Sequence, residues 1–181
     1  MSKLYKFFCT SVLLTSGFFS KGIIKKDIDY SEYLGKGYEV PSNFGTVISN
    51  HSTPLDSTIM GFLYDTIMVS KSAYWDVPII GWAITLLETI YVDRGDPQSK
   101  QKTIDLIKLT QSWYLEGKSN KILGIFPEGT TTNNTALLSF KQGAFISLTP
   151  VKPLVFLIKS KYISPTYDCV GFLELFILIC L

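Results

Sequence analysis

From Lys36 onward, short apolar runs alternate with stretches in which apolar residues recur at helical spacing. The apolar runs predict strands and the helical stretches predict helices between them. The predicted strands cover residues 45–49, 66–70, 89–93, 121–126 and 153–158. The predicted helices cover residues 54–64, 79–87, 97–116 and 138–147. This alternation indicates an α/β fold, a single domain in which a mixed β-sheet is flanked by helices.

The longest predicted helix, residues 97–116, begins with Pro97, and proline suits the first turn of a helix. Its apolar positions are spread widely around the helix axis. The apolar residues are Ile104, Leu106, Ile107, Leu109, Trp113 and Tyr114, and Gln111 lies among them. We therefore expect a broad apolar face on this helix, packed against the sheet.

Residues 4–19 form an apolar stretch that is interrupted by Lys6 and by several hydroxyl side chains. The stretch is shorter than the ~20 residues that a membrane-spanning helix needs, and no clear signal-peptide cleavage pattern follows it. We expect a helix that lies in the membrane interface, with the lysines behind it near anionic headgroups. An ordinary core helix is the alternative. Residues 1–35 are thus predicted to be a membrane-associated segment, and residues 36–181 the folded domain.

Composition also favours contact with a membrane. Hydrophobic residues make up 46% of the chain and charged residues 18%, below the roughly 25% charged residues of an average soluble domain. The chain ends in an apolar run, CVGFLELFILICL. Either this run docks on the domain or a membrane, or the chain is truncated at its C-terminus.

Charge and cysteine content exclude several partners. The net charge is +2 and no basic stripe is present, so nucleic acid is not an expected partner. The single arginine, Arg94, is the one side chain with a planar guanidinium group that can bind a phosphate through two hydrogen bonds. Cys9, Cys169 and Cys180 lie far apart, which fits neither a disulfide framework nor a zinc site. We expect no bound metal and a reducing, cytosol-facing environment.

The only histidine, His51, directly follows the first predicted strand, and Asp56 lies five residues further on. Asp56 has a structural explanation, because Thr53, Pro54 and Asp56 resemble a helix start with a capping box. The helix start gives no such structural explanation for His51. If the chain turns after His51, the Asp56 carboxylate can accept a hydrogen bond from one ring nitrogen and leave the other free as a general base. A structural histidine in a loop is the alternative.

Two other predicted strands also end in polar residues. The segment GIFPEGTTTN leads from a strand into Glu128 and a row of hydroxyl side chains, although an ordinary type I turn explains its Pro-Glu-Gly step. The segment ETIYVDRGD ends with Arg94 beside Asp93, where a solvated ion pair is the ordinary explanation and a phosphate clamp the functional one. In a parallel or mixed sheet these strand ends meet at one edge.

Together these segments resemble the glycerophospholipid acyltransferase superfamily. Its His-x4-Asp motif is matched by His51 and Asp56, its arginine after an apolar strand by Arg94, its Phe-Pro-Glu-Gly-Thr motif by residues 126–130, and its Val-x-Pro strand by residues 151–153. The order and approximate spacing are those of the superfamily. The continuation FPEGTTTN, the segment FKQGAF and the tail look most like the lysophosphatidylcholine/lysophosphatidylethanolamine acyltransferase branch.

The resemblance implies transfer of a fatty acyl group from acyl-CoA to the free hydroxyl of a lysophospholipid. His51 would act as the general base and Asp56 would orient it. Arg94, with the turn residues Glu128, Gly129 and Thr130, would bind the acceptor. Acyl-CoA is then a co-substrate, and neither a cofactor nor a metal is required.

The resemblance also implies a membrane location, which we expect to be the endoplasmic reticulum with the active site facing the cytosol. Two alternatives stay open at this point. Acylation of glycerol 3-phosphate or lysophosphatidate is the first, and an inactive, truncated lipid-binding module is the second, because the strands that the superfamily has beyond residues 151–153 are shortened or absent.

Overall fold

A computed structural model describes residues 3–15, 24, 28–53, 55–72, 85, 88–93 and 95–158. Five strands and four α-helices are assigned within these ranges. The helices are α1 (Lys3–Thr15), α2 (Ser31–Leu34), α3 (Asp56–Tyr64) and α4 (Pro97–Leu115). The strands are β1 (Thr46–Ser49), β2 (Thr66–Lys71), β3 (Ile90–Val92), β4 (Ile122–Ile125) and β5 (Val151–Leu154). The α/β character predicted from the sequence is confirmed.

The five strands form one sheet in the order β3-β2-β4-β1-β5. All pairings among these strands are parallel, with Val47 opposite Gly124 between β1 and β4, and Ile48 opposite Pro153 between β1 and β5. The predicted mixed sheet is therefore corrected to a parallel one in the part of the chain that the structure describes. Every residue of the neighbouring inner strands β1 and β4 is buried, as expected for strands covered on both faces. Their carboxyl ends lie side by side, so the chain that leaves β1 meets the chain that leaves β4.

The sheet separates two apolar layers. Ile48 and Ile107 belong to the layer on the side of α4, whereas Val47 and Met60 belong to the layer on the side of α3. Neighbouring residues of β1 therefore face opposite layers, as the pleat of a strand requires. Gly124 in β4 has no room for a side chain, because a Cβ there would lie 2.7 Å from Met60 Sδ.

Helix α4 begins as the sequence predicts. Asp96 caps it by accepting hydrogen bonds from the N–H groups of Gln98 and Ser99, with Pro97 in the first turn. The predicted broad apolar face is wrong in part, because Leu106, Leu109 and Trp113 are 45%, 41% and 46% exposed. The buried residues of α4 are Thr103, Ile107, Thr110 and Gln111. These lie at helical spacing on one stripe, and the three exposed apolar residues lie outside that stripe.

The last predicted strand is placed too late in the sequence. Its observed ladder covers Val151–Leu154, with Thr46 opposite Val151. The ladder ends where β1 ends, because the Asn50 side chain takes over the pairing: its Oδ1 accepts from Phe156 N–H at 2.8 Å and its Nδ2 donates to Phe156 O at 3.1 Å. A side-chain amide that replaces a backbone partner cannot be anticipated from the periodicity of the strand itself.

The predicted helix over residues 138–147 is also corrected. Only Gln142–Phe145 is helical, as a single 3-10 turn. Hydrogen bonds to the turn after β4 hold the preceding residues in an irregular path, since Leu138 N–H donates to Glu128 Oε2 and Lys141 N–H to Pro127 O. The predicted helix over residues 79–87 lies outside the described residues, apart from Thr85.

Helix α1 contacts α3, and residues 16–19 of the predicted apolar stretch lie outside the described residues. Cys9 is buried in α1, while Phe7 and Leu14 are exposed. Among the helices that the structure describes, none combines the length and the apolar character needed to cross a bilayer. Membrane association of residues 1–35 stays a prediction. The apolar C-terminal run lies outside the described residues.

Candidate active site

His51 follows the carboxyl end of β1 and lines a cavity, and its side chain is 20% exposed. Its Nδ1 lies 3.1 Å from Asp56 Oδ2. A carboxylate oxygen only accepts hydrogen bonds, so this contact places the imidazole proton on Nδ1. Nε2 has no hydrogen-bond partner among the described residues. The sequence prediction that the aspartate engages one ring nitrogen and leaves the other unoccupied agrees with this geometry.

Asp56 is fully buried at the first position of α3. Its Oδ2 accepts hydrogen bonds from Ser52 N–H at 2.6 Å and Thr53 N–H at 2.9 Å, in addition to the contact with His51. The aspartate thus holds the histidine ring and the backbone of the turn with the same oxygen.

The predicted capping box is only half formed. Asp56 accepts from the Thr53 amide, as such a box requires, but Thr53 Oγ1 accepts from Leu55 N–H at 3.4 Å instead of reaching the Asp56 amide. The residue at the N-cap position is Leu55, which makes no side-chain cap. Pro54 lies outside the described residues. The turn therefore depends on the buried carboxylate more than on a hydroxyl cap.

Phe126 fixes the plane of the histidine ring. Its ring stacks on the imidazole with centroids 3.9 Å apart and an angle of 8° between the planes. Phe126 follows β4, the neighbour of β1 in the sheet. The sequence interpretation used Phe126 only as part of a motif, although an aromatic residue at the end of the strand beside the histidine was a usable signal.

Glu128 holds the backbone of His51 from the other side. The carboxylate is only 2% exposed; its Oε1 accepts from His51 N–H at 3.1 Å, and its Oε2 accepts from Leu138 N–H at 3.1 Å. Thr132 N–H donates to His51 O at 2.8 Å. Both backbone groups of the histidine are therefore bound by the loop after β4. The sequence assigned Glu128 to substrate binding, and it indicated a head-group contact or a helix cap for Thr132, not a hydrogen bond to the His51 backbone.

The cavity in front of His51 has a volume of about 210 Å³. Gly129 and Thr130 line it, as the sequence prediction of an acceptor site requires, together with Lys71 and Lys141, which that prediction did not include. Arg94 lies outside the described residues. No group of three or more metal-ligating side chains is found in the described ranges.

Comparison with known sequences assigns this chain to a family. Residues 38–157, more than half of the chain, match the family model described as Acyltransferase. The chain belongs to the Acyltransferase family. His51, Asp56 and the residues from Phe126 to Thr132 all fall within the matched range.

Relatives of this chain confirm the resemblance seen in its motifs. The lysophosphatidylcholine acyltransferase of Drosophila melanogaster is 36% identical over 135 residues, which cover 71% of this chain and 24% of that protein. Lysophosphatidylcholine acyltransferase 1 of Homo sapiens is 38% identical over 124 residues, or 68% of this chain and 22% of that protein. The chain thus spans about a quarter of the length of these relatives.

A solved structure also aligns with this chain. It is the crystal structure of the 1-acyl-sn-glycerophosphate (LPA) acyltransferase PlsC from Thermotoga maritima. The TM-score is 0.47 at 21% sequence identity, and the alignment covers 82% of this chain and 57% of that chain.

Replacing Glu128 by alanine is expected to destabilise the fold. The change leaves the partly buried His51 and Leu138 amides without their acceptor, and each unpaired N–H costs up to about 1–3 kcal/mol, the range for a fully buried group. Urea unfolding measures the effect as a lower midpoint. Glu39→Ala, at an exposed position, is the control and is expected to change stability by less than about 0.5 kcal/mol. Equal midpoints for the two variants would contradict the prediction.

Proposed function

We propose that the chain transfers a fatty acyl group from acyl-CoA to the free hydroxyl of a lysophospholipid. The observation that carries this proposal is the His51 Nδ1 contact with Asp56 Oδ2, which leaves Nε2 without a partner among the described residues at a cavity. An imidazole held in this way is arranged for general base catalysis. The relatives that match most of this chain are named lysophosphatidylcholine acyltransferases, which supports the acceptor class.

In the proposed reaction, His51 Nε2 takes the proton of the acceptor hydroxyl. The hydroxyl oxygen attacks the thioester carbonyl, a tetrahedral intermediate forms, and its collapse breaks the carbon–sulfur bond. Coenzyme A leaves as a thiolate, which can take the proton back from His51. Protons balance over the cycle. The acyl group passes directly to the acceptor, so the scheme includes no acyl-enzyme, no metal ion and no cofactor besides the co-substrate acyl-CoA.

Asp56 has two roles in this scheme. Its hydrogen bond keeps the proton of the neutral imidazole on Nδ1, and its charge stabilises the imidazolium that forms when Nε2 accepts a proton. The hydrogen bonds from the Ser52 and Thr53 amides fix the position of the carboxylate. Phe126 restricts the rotation of the ring. These contacts hold the base at the cavity before substrate arrives, which is the preorganisation that catalysis needs.

The acceptor is proposed to bind along the turn after β4. Gly129 and Thr130 line the cavity beside His51, and Arg94 is proposed to bind the acceptor phosphate. Glu128 is proposed to shape this site from behind, because both of its carboxylate oxygens accept backbone hydrogen bonds. Direct contact between Glu128 and the acceptor stays a prediction.

The reaction is proposed to take place at a membrane surface, because a lysophospholipid inserts its acyl chain into a bilayer. The exposed Phe7 and Leu14 of α1 are suited to contact with a membrane interface. We place the chain at the endoplasmic reticulum with its active site facing the cytosol, where acyl-CoA is available.

The test of this function is a transfer assay with the 181-residue chain. Labelled acyl-CoA is supplied with a panel of acceptors in mixed micelles, and products are identified by mass spectrometry. We expect diacyl products with lysophosphatidylcholine or lysophosphatidylethanolamine, and a His51→Ala preparation is the blank. Products only with lysophosphatidate or glycerol 3-phosphate would establish the alternative acceptor class. Lipid binding without any product would establish a lipid-binding module and refute the enzyme.

A further inference from the structure

Three exposed apolar side chains of α4 lie on one line along the helix. They are Leu106, Leu109 and Trp113, and exposed charged residues continue the line at both ends, Lys102 before it and Glu116 after it. The five positions are separated by 4, 3, 4 and 3 residues, so they fall within about 80° of the helix circumference. We call these five residues the α4 stripe. Its spacing is that of the seam between two paired helices.

The ends of the α4 stripe carry opposite charges in an order that the helix itself does not favour. The helix macrodipole favours acidic residues in the first turn and basic residues in the last turn, and α4 has neither. Glu116 lies instead at its C-cap and pairs with Lys118 at 2.5 Å, but both side chains are at least 50% exposed, and a solvated pair contributes little. The order of charges fits a second stripe that runs in the opposite direction.

We propose that the α4 stripe is the contact face of a homodimer in which two copies of α4 lie antiparallel. Leu109 is the middle residue of the stripe, with seven positions to Lys102 and seven to Glu116. When the two copies of Leu109 meet at the two-fold axis, Lys102 of each copy therefore lies beside Glu116 of the other. Trp113 of each copy then packs beside Leu106 of the other. One patch binds itself, as a two-fold interface requires.

This dimer leaves the cavity at His51 open. Ile107 is the residue of α4 that lines the cavity, and it lies at least about 100° around the helix from every residue of the α4 stripe. The second copy therefore covers a different side of α4. The contact does not depend on the reaction that the chain catalyses.

A lipid surface is the other apolar partner that an exposed helix face can meet. Helices that lie in a membrane interface carry lysine or arginine beside their apolar face. The α4 stripe is bordered by Asp105 and ends at Glu116, both exposed. Its charges are balanced from end to end, which a second copy matches and a membrane surface does not.

Sedimentation equilibrium of the full chain tests the dimer. One helix face is smaller than a standard interface of about 1,200–2,000 Å², so we expect a dissociation constant of roughly 1–100 µM. Leu109→Ser should raise this constant at least about 10-fold, because two leucines lose their burial in each dimer. Val155→Ser, at a position that is 67% exposed and outside the stripe, is the control and should dimerise like the wild type.

Two results would overturn the proposal. One is a monomeric chain up to about 200 µM, and the other is equal weakening by Leu109→Ser and Val155→Ser. If the chain is monomeric and Leu109→Ser lowers its binding to phosphatidylcholine vesicles, the α4 stripe belongs to a lipid surface instead.

Exchange of the end charges tests the antiparallel arrangement. Lys102→Glu and Glu116→Lys should each raise the dissociation constant about 5- to 30-fold, because each places like charges together at both ends of the contact. The double variant restores opposite charges and should dimerise within about 3-fold of the wild type. A double variant that is weakened by the product of the two single effects would refute the antiparallel contact, and circular dichroism confirms that all three variants are folded.

Discussion

Replacing His51 by alanine is expected to lower the rate of acyl transfer by about 10²–10⁴-fold, the usual contribution of a positioned general base. The acceptor hydroxyl has a pKa far above neutral, so it attacks the thioester slowly unless a base removes its proton. Nε2 of His51 lies at the cavity and has no competing partner in the described residues. The same change removes the stack on Phe126 but leaves the backbone hydrogen bonds of residue 51 in place.

The measurement is the rate of coenzyme A release at saturating substrate, normalised to folded protein by circular dichroism. His51→Gln is the matched variant, since glutamine fills similar space and keeps polar atoms but does not act as a base near neutral pH. Both variants should be folded and nearly inactive. Transfer by either one within a factor of ten of the wild type would rule out His51 as the base.

Asp56→Asn is expected to give a folded protein whose kcat is lower by about 10²–10³-fold, the range seen when one electrostatic stabiliser is removed from a reacting site. The three donors from His51, Ser52 and Thr53 all point at one carboxylate oxygen. The asparagine oxygen can occupy that position and accept all three hydrogen bonds. What the variant loses is the negative charge that stabilises the imidazolium.

The outcome separates two roles for Asp56. If the residue only stabilises the turn, activity should follow the fraction of folded protein, and Asp56→Asn should retain most of its kcat. Asp56→Ala is the comparison, because it removes the acceptor itself and leaves the buried Ser52 and Thr53 amides unpaired, at about 1–3 kcal/mol each. We expect the alanine variant to unfold at a clearly lower urea concentration than the wild type. We expect the asparagine variant to lose activity while it keeps most of its stability.

The local parts of this site could be predicted from the sequence. The apolar runs at β1 and β4 identify two strands, and parallel strands bring their carboxyl ends together, so His51 and the turn at Glu128 were expected at one edge. The five-residue spacing between His51 and Asp56 allowed a contact only if the chain turned between them, which it does.

The parts that could not be predicted depend on partners distant in sequence. Glu128 accepts from the backbone of a residue 77 positions earlier, and the Asn50 side chain pairs with a residue 106 positions later. No periodic pattern encodes such contacts. They also explain the two misplaced elements, because residues that look helical at 138–147 or extended at 153–158 are held by side chains from other loops. The predicted apolar face of α4 was wrong for a different reason at Leu106, Leu109 and Trp113. Apolar character alone does not tell which side of a helix packs against the sheet.

The hydrogen bonds at the His51 backbone have a consequence for the growing chain. The His51 N–H donates to Glu128, and the His51 carbonyl accepts from Thr132. Both partners are synthesised long after the histidine. A chain released before residue 132 contains the complete His-x4-Asp sequence but lacks the loop that holds it. Contacts of this sequence separation form late because a long loop must close first. During synthesis, therefore, His51 is present as a residue well before the loop that binds its backbone.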